Sequence, residues 1–256
     1  MDGSMDGLSQ FLTLEIYRGL LVLARVAAAI GLLPGFGEAA VPMRVRAALA
    51  VIVTLVLLPG VEGLPERMPD QPVEMLRALA GESLVGAYLG LGARLFMAAL
   101  QTTGALAAQV VGLSNPFAME AAGFEGGSVL SGVLLIGGLA LLFASDVHYL
   151  MIGALARSYG SWPAGVLPDL GMVAQRFAEL LAATFRLGVG LAAPFILYGL
   201  VMNAALGLVN RVMPAMPVYF VATPGMLMAG LALFMLTAGA MLTAFVAALG
   251  GWLSGS

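Results

Sequence analysis

The chain has 256 residues, 61% of them hydrophobic and 10% charged, with a mean hydropathy of +1.01 and a formal net charge of -3. Soluble domains carry about a quarter charged residues, so this composition predicts an all-α polytopic membrane protein. The bases are all arginine, cysteine is absent and there is one histidine. This excludes a Walker-type phosphate loop, Schiff-base chemistry, disulfides and thiolate metal sites, and it leaves no ligand cluster for zinc or haem. No cofactor is expected, and the scattered arginines form no basic stripe for nucleic acid.

A hydrocarbon core of about 30 Å is crossed by roughly 20 apolar helical residues. By that measure six segments are predicted, over 14 to 33, 43 to 58, 78 to 111, 129 to 152, 177 to 208 and 219 to 253. The third and fifth exceed the thickness of lipid and must tilt, kink or project, with Pro194 as the kink of the fifth. Between segments, residues 58 to 75 hold four prolines and four acids and belong in water, and 158 to 171 form a second breaker. Small residues recur at fourth positions, as in Gly86 and Gly90 or Gly104, Ala108 and Gly112. That spacing lets two helix backbones approach closely, although Gly and Ala are also simply common in membrane helices.

Chemistry-bearing patterns are weak. Two G-x-G-x-x-A matches, at 35 to 40 and 188 to 193, follow no strand and predict no dinucleotide site. Ser145, Asp146 and His148 fan out over a helix rather than converge, and no serine elbow completes a triad. Intramembrane charge is the better lead, because an ionised group at mid-bilayer costs about 2.5 kcal/mol or more and needs a partner or a wet cavity. Arg25, Arg94, Arg186, Asp146 and His148 are the candidates, and Glu15 lies one turn from Arg18. A proton pump would want several acids inside the spans. Asp146 is the main one there, with Glu15, Glu82 and Glu179 near segment ends. The Gly-rich, acidic stretch from Gly112 to Ser128 fits either an ordinary extramembrane turn or a re-entrant loop surrounded by protein or water.

Three blocks, taken in order and spacing, carry a family resemblance. The first, LPGFGEAAVPMRVRAALAVIVTLVLLP at 33 to 59, presents Pro34, Phe36, Gly37, Val41, Pro42 and Arg46. The second, at 148 to 165, presents His148, Ser158, Tyr159, Pro163 and Gly165. The third runs from Ala193 with Pro194, Gly207, Arg211, Pro214, Pro224 and Gly230. Together they resemble the flagellar biosynthetic protein FliR and injectisome SctT family, the export-gate proteins of type III secretion, over nearly the whole chain. Asn203, where the family tends to carry an acid, and Met216-Pro217 depart from its pattern.

The resemblance implies a single polytopic domain over 1 to 256 in the bacterial inner membrane, within the flagellar basal body. It implies a structural, non-enzymatic subunit whose helical hairpins pack with FliP and FliQ relatives, and with a FlhB relative, into a hetero-oligomeric helical assembly that exports unfolded proteins. It further implies a plug at 111 to 128, comprising Gly112, Ser114, Asn115, Pro116, Phe117, Met119, Glu120, Gly123, Phe124, Glu125, Gly126 and Gly127. Glycines there permit movement; Phe117, Met119 and Phe124 are expected to seal, and Glu120 and Glu125 to stay wet. Arg46 and Arg211 are expected to anchor helix ends, and Arg94, Asp146 and His148 to make polar contacts in the assembly. The rival reading is a self-contained small-molecule transporter, which would show an internal repeat and a mid-span polar cluster.

Overall fold

The computed structural model describes the backbone of residues 2–113, 128–213 and 218–255 and the side chains of 8–113, 128–213 and 221–255. Seven α-helices follow in order among the described residues: α1 (Asp2–Leu32), α2 (Met43–Leu57), α3 (Pro72–Val111), α4 (Val129–Ala144), α5 (Val147–Ser161), α6 (Leu170–Val212) and α7 (Val218–Gly255). One 3-10 turn, Leu58–Gly60, follows α2. Pro42 precedes α2 in an extended conformation (φ -57°, ψ 142°). Pro72 opens α3, where its missing N–H removes no helical bond.

The segment expected as one helix over 129 to 152 is instead two, α4 and α5, bent by 72°. No glycine or proline marks the break. Asp146 sits there in the left-handed region (φ 59°, ψ 15°), a conformation that short polar side chains tolerate better than apolar ones. The Ser145 N–H turns back to the Leu141 carbonyl, and the Tyr149 N–H takes up that of Asp146.

Helices α3, α6 and α7 have 40, 43 and 38 residues, lengths of about 60, 64 and 57 Å at 1.5 Å per residue. All three thus exceed a hydrocarbon core, including the last, whose apolar run over 219 to 253 is as long as the two expected to do so. Pro194 lies inside α6 and Pro224 inside α7, and each withholds one backbone hydrogen bond from its helix. Four helical stretches are long and apolar enough to cross a membrane: Met43–Gly60, Pro72–Val111, Leu170–Val212 and Val221–Gly255. The bent α4 and α5 pair makes a fifth if counted as one broken span. The most apolar stretch of α3 is 56% buried, against 28% for that of α6 and 17% for those of α2 and α7, so α3 is the most enclosed of the four and the others present apolar faces outward.

The chain divides into two compact units, and α3, α6 and α7 contribute to both. Unit 1 holds residues 1 to 94, 146 to 180 and 250 to 256. Its core gathers Val22, Val26 and Ile30 of α1, Ala50 and Val53 of α2, and Tyr159 and Ala164. Here α3 lies on α1 through its glycines. A Cβ on Gly86 would overlap the Arg25 carbonyl, and one on Gly90 would sit 2.6 Å from the Leu32 Cβ. Unit 2 holds residues 95 to 145 and 181 to 249. Leu100, Leu134, Phe195 and Phe245 are fully buried there. A Cβ on Gly199 or Gly230 would come within 2.6 Å or 2.5 Å of the Val110 or Val111 side chain, so α6 and α7 both pack closely on the end of α3.

Candidate functional site

Unit 1 is organised around a buried ion pair. Arg25 and Glu82 are both 0% exposed. The Arg25 Nε donates to Glu82 Oε2 at 2.7 Å and Nη2 to Glu82 Oε1 at 3.2 Å. Nη2 also donates to the Trp162 carbonyl at 2.9 Å, and Nη1 to Ser158 Oγ at 2.9 Å. The guanidinium lies over the Tyr159 ring, 3.8 Å from its centroid. Glu82 Oε1 in turn accepts the Gly165 N–H at 2.7 Å. Two charges removed from water are tolerable only when hydrogen bonds satisfy the remaining donors and lone pairs. This network does so, and in doing so it fixes α1, α3, α5 and the turn after α5 to one another.

Two turns in the same unit are held by arginines that donate to backbone carbonyls. Pro34 to Gly37 form the turn after α1, with the Gly37 N–H bonded to Leu33 O at 2.8 Å. Gly35 has φ +83°, and a Cβ on Gly37 would strike the Gly31 carbonyl, so both positions require glycine. The Arg94 Nε donates to Leu32 O at 2.6 Å and its Nη2 to Gly37 O at 3.1 Å, satisfying the exposed carbonyls at the end of α1. Arg157 donates to Leu253 O at 2.6 Å in the last turn of α7. The Arg46 Nε donates to Val41 O at 3.1 Å just ahead of α2.

Unit 2 carries the two feet of the Gly112 to Ser128 stretch. At the first foot, Gly112 has φ +87° and the Leu113 N–H reaches back to Ala108 O at 2.8 Å, a Schellman ending for α3. At the second, Ser128 caps α4 by accepting the Ser131 N–H at 3.2 Å. The Ser128 hydroxyl is 3.1 Å from Gly104 O, and that of Ser131 donates to Gln101 O at 2.9 Å. A Cβ on Gly104 would lie 2.5 Å from the Ser131 Cα, so α3 and α4 touch backbone to backbone at this level. Gly104 is eight residues before Gly112, about 12 Å along the helix. The chain therefore leaves the tip of α3 and returns about two turns lower, fastened at both ends. Ser128→Ala is expected to lower the stability of unit 2 by about 1 to 2 kcal/mol and to speed exchange of the Ser131 amide. Thermal unfolding in detergent with amide exchange measures both, and unaltered exchange would show that the cap is not closed.

The residues singled out from sequence are distributed as follows. Arg94 pairs with carbonyls rather than with an acid, and Asp146 is exposed at the break between α4 and α5. His148 is half-buried, its ring 4.1 Å from that of Tyr149. Arg211 is exposed in the last turn of α6, Pro163 lies in the turn after α5, and Pro42 precedes α2. Ser114, Asn115, Pro116, Phe117, Met119, Glu120, Gly123, Phe124, Glu125, Gly126, Gly127, Pro214, Met216 and Pro217 lie outside the described residues. The Arg18 to Glu15 pair forms at 2.6 Å. Sequence reasoning missed the partnership of Arg25 with Glu82. A signal was present: Glu82, Gly86 and Gly90 fall at i, i+4 and i+8, so the acid shares the face along which α3 meets another helix. Ser128 was equally legible as a cap, a serine directly before an apolar run. Among the described residues no three His, Cys, Asp or Glu side chains gather as a metal site.

Long apolar helices, a buried ion pair joining α1 to α3 and close glycine-mediated contacts define an all-α, multi-span membrane protein. Residues 16–251 match the family described as bacterial export proteins, family 1, and the chain belongs to it. It is 36% identical to the flagellar biosynthetic protein FliR of Caulobacter vibrioides, over 87% of this chain and 89% of that protein. Similarity extends to FliR of Aquifex aeolicus, 31% identical over 85% of this chain and 84% of the relative. It reaches FliR of Escherichia coli at 29% over 82% and 80%.

Proposed function

We propose that this chain is a structural subunit of the flagellar type III protein export gate in the bacterial inner membrane. In this reading it is one polytopic subunit that lines a passage for unfolded proteins, carries a movable plug at 111 to 128, and performs no covalent chemistry. FliP, FliQ and FlhB relatives are the expected neighbours, since helices of this length with outward apolar faces call for other protein or lipid to cover them. Family membership supports the export role. The observation that carries the plug is the pair of fastened feet, Gly112 at the tip of α3 and Ser128 bound to Gly104. A segment anchored so at both ends can change position without disturbing the helices that bear it.

Deleting residues 114 to 126 while keeping both feet is expected to leave the subunit assembled and to make the cell envelope leaky to small solutes. Uptake of a normally excluded dye, or a fall in membrane potential, measures the effect. Unchanged permeability with an assembled complex would count against a plug at this position.

A further inference from the structure

Unit 1 carries a cleft of about 720 Å³ beside the first turns of α1. Gln10, Phe11 and Thr13 of α1 form one wall, and Arg67, Met68 and Asp70 of the loop before α3 form the other. The loop is fastened where it begins. The Arg18 Nε donates to the Pro65 carbonyl at 2.9 Å, and the Pro65 ring packs on Gly165, where a Cβ would lie 2.9 Å from its Cγ. Beyond Pro65 the fastening ends: residues 66 to 70 make no hydrogen bond or ion pair with another described residue.

The chemistry of the walls narrows the occupant. Phe11 is 58% exposed and Met68 39%, so each wall offers an apolar side chain, while Glu66, Arg67 and Asp70 offer charges of both signs. Lipid tails do not suit a wall so charged, and a loop with this many prolines and acids belongs in water. Small metabolites are held by pockets that bury most of the ligand. Here all six of those wall residues are exposed. The unpaired backbone groups of 66 to 70 instead form an edge to which an extended polypeptide can hydrogen-bond whatever its sequence. Pro65 and Pro69 restrict that edge and the residues before them, so little conformational entropy is lost when a chain is received.

We propose that this cleft receives an extended segment of the polypeptide being exported. The loop backbone pairs with its main chain, and Phe11 and Met68 take up its apolar side chains. Methionine is flexible and polarisable, which suits a contact that must accept many sequences. The proposal rests on the reading of the chain as an export-gate subunit, and it adds to that reading a place where the exported chain is held outside the passage.

The chain has no cysteine, so an introduced thiol is a unique crosslinking point. Full-length Gln10→Cys, Met68→Cys and, in the proposed plug, Met119→Cys are expressed in cells together with an exported flagellar protein stalled by a fused domain that does not unfold. Each is labelled with a photoreactive maleimide and crosslinked. Val56→Cys, 73% exposed on α2 and not part of the cleft, sets the background. Gln10→Cys and Met68→Cys are expected to give adducts with the stalled protein well above that background. Adding Phe11→Ser is expected to lower the Gln10→Cys yield about tenfold, the factor that corresponds to about 1.4 kcal/mol of lost apolar contact. Phe11 is exposed, so that variant should keep wild-type helicity, which circular dichroism checks. Adducts from Met119→Cys with none from the cleft above background would overturn the proposal and leave the gate reading standing. Cleft thiols that capture a membrane subunit instead of the stalled protein would also overturn it. No adduct from any position overturns the gate reading and the proposal together.

Discussion

Replacing Glu82 with alanine is expected to destabilise unit 1 by about 3 to 5 kcal/mol, the usual result of stripping one partner from a buried ion pair. The reason is geometric. Arg25 is enclosed by Ser158, Trp162 and Tyr159, so its charge has no route to water once the carboxylate is gone. The Gly165 N–H loses its acceptor at the same stroke. The double replacement Arg25→Met with Glu82→Leu is expected to recover most of the loss, since two apolar side chains of similar volume leave no orphaned charge. Thermal unfolding of the purified chain in detergent and its steady-state level in membranes both report this. If Glu82→Ala melted with the wild type, the pair would not be closed in the folded protein.

Gly86→Ala is expected to cost about 2 to 3 kcal/mol, a large penalty for one methyl group. The added Cβ would overlap the Arg25 carbonyl and come 3.1 Å from the Ala28 Cβ, and neither obstacle is a flexible side chain. Helices α1 and α3 would have to separate, loosening the Arg25 to Glu82 contact one turn away. Gly19→Ala on α1 is the internal control. A Cβ there meets nothing within 4 Å, so the change should stabilise the helix by up to about 1 kcal/mol. Equal effects of the two substitutions would refute close packing of α1 on α3.

These two expectations concern the packed interior of unit 1. Helix C-termini leave carbonyls without partners, and in an apolar protein each is costly. Arg94 and Arg157 supply donors at the ends of α1 and α7. Threonine and serine hydroxyls turned back onto helix carbonyls, such as Thr54 on Ala50 and Thr103 on Ala99 and Gly188, do the same for buried side-chain polarity. The described chain thus satisfies much of its own polarity internally.

By itself the sequence established the membrane class, the helical content and most of the helix positions. Apolar runs longer than about 18 residues can satisfy their backbone in lipid only as helix, and Pro and Gly clusters stop them. Local electrostatics were also legible, as in the Glu15 to Arg18 pair one turn apart. Only the tertiary structure decided that Arg25 meets Glu82, 57 residues away, that the fourth apolar run breaks at Asp146, and that Ser128 is fastened to Gly104. Each of these depends on which helix faces which, and helical periodicity gives a residue's face on its own helix without naming the helix opposite. In a chain whose helices are apolar on nearly every side, that choice is made by close backbone contact at glycines and by the need of a few buried charges for partners.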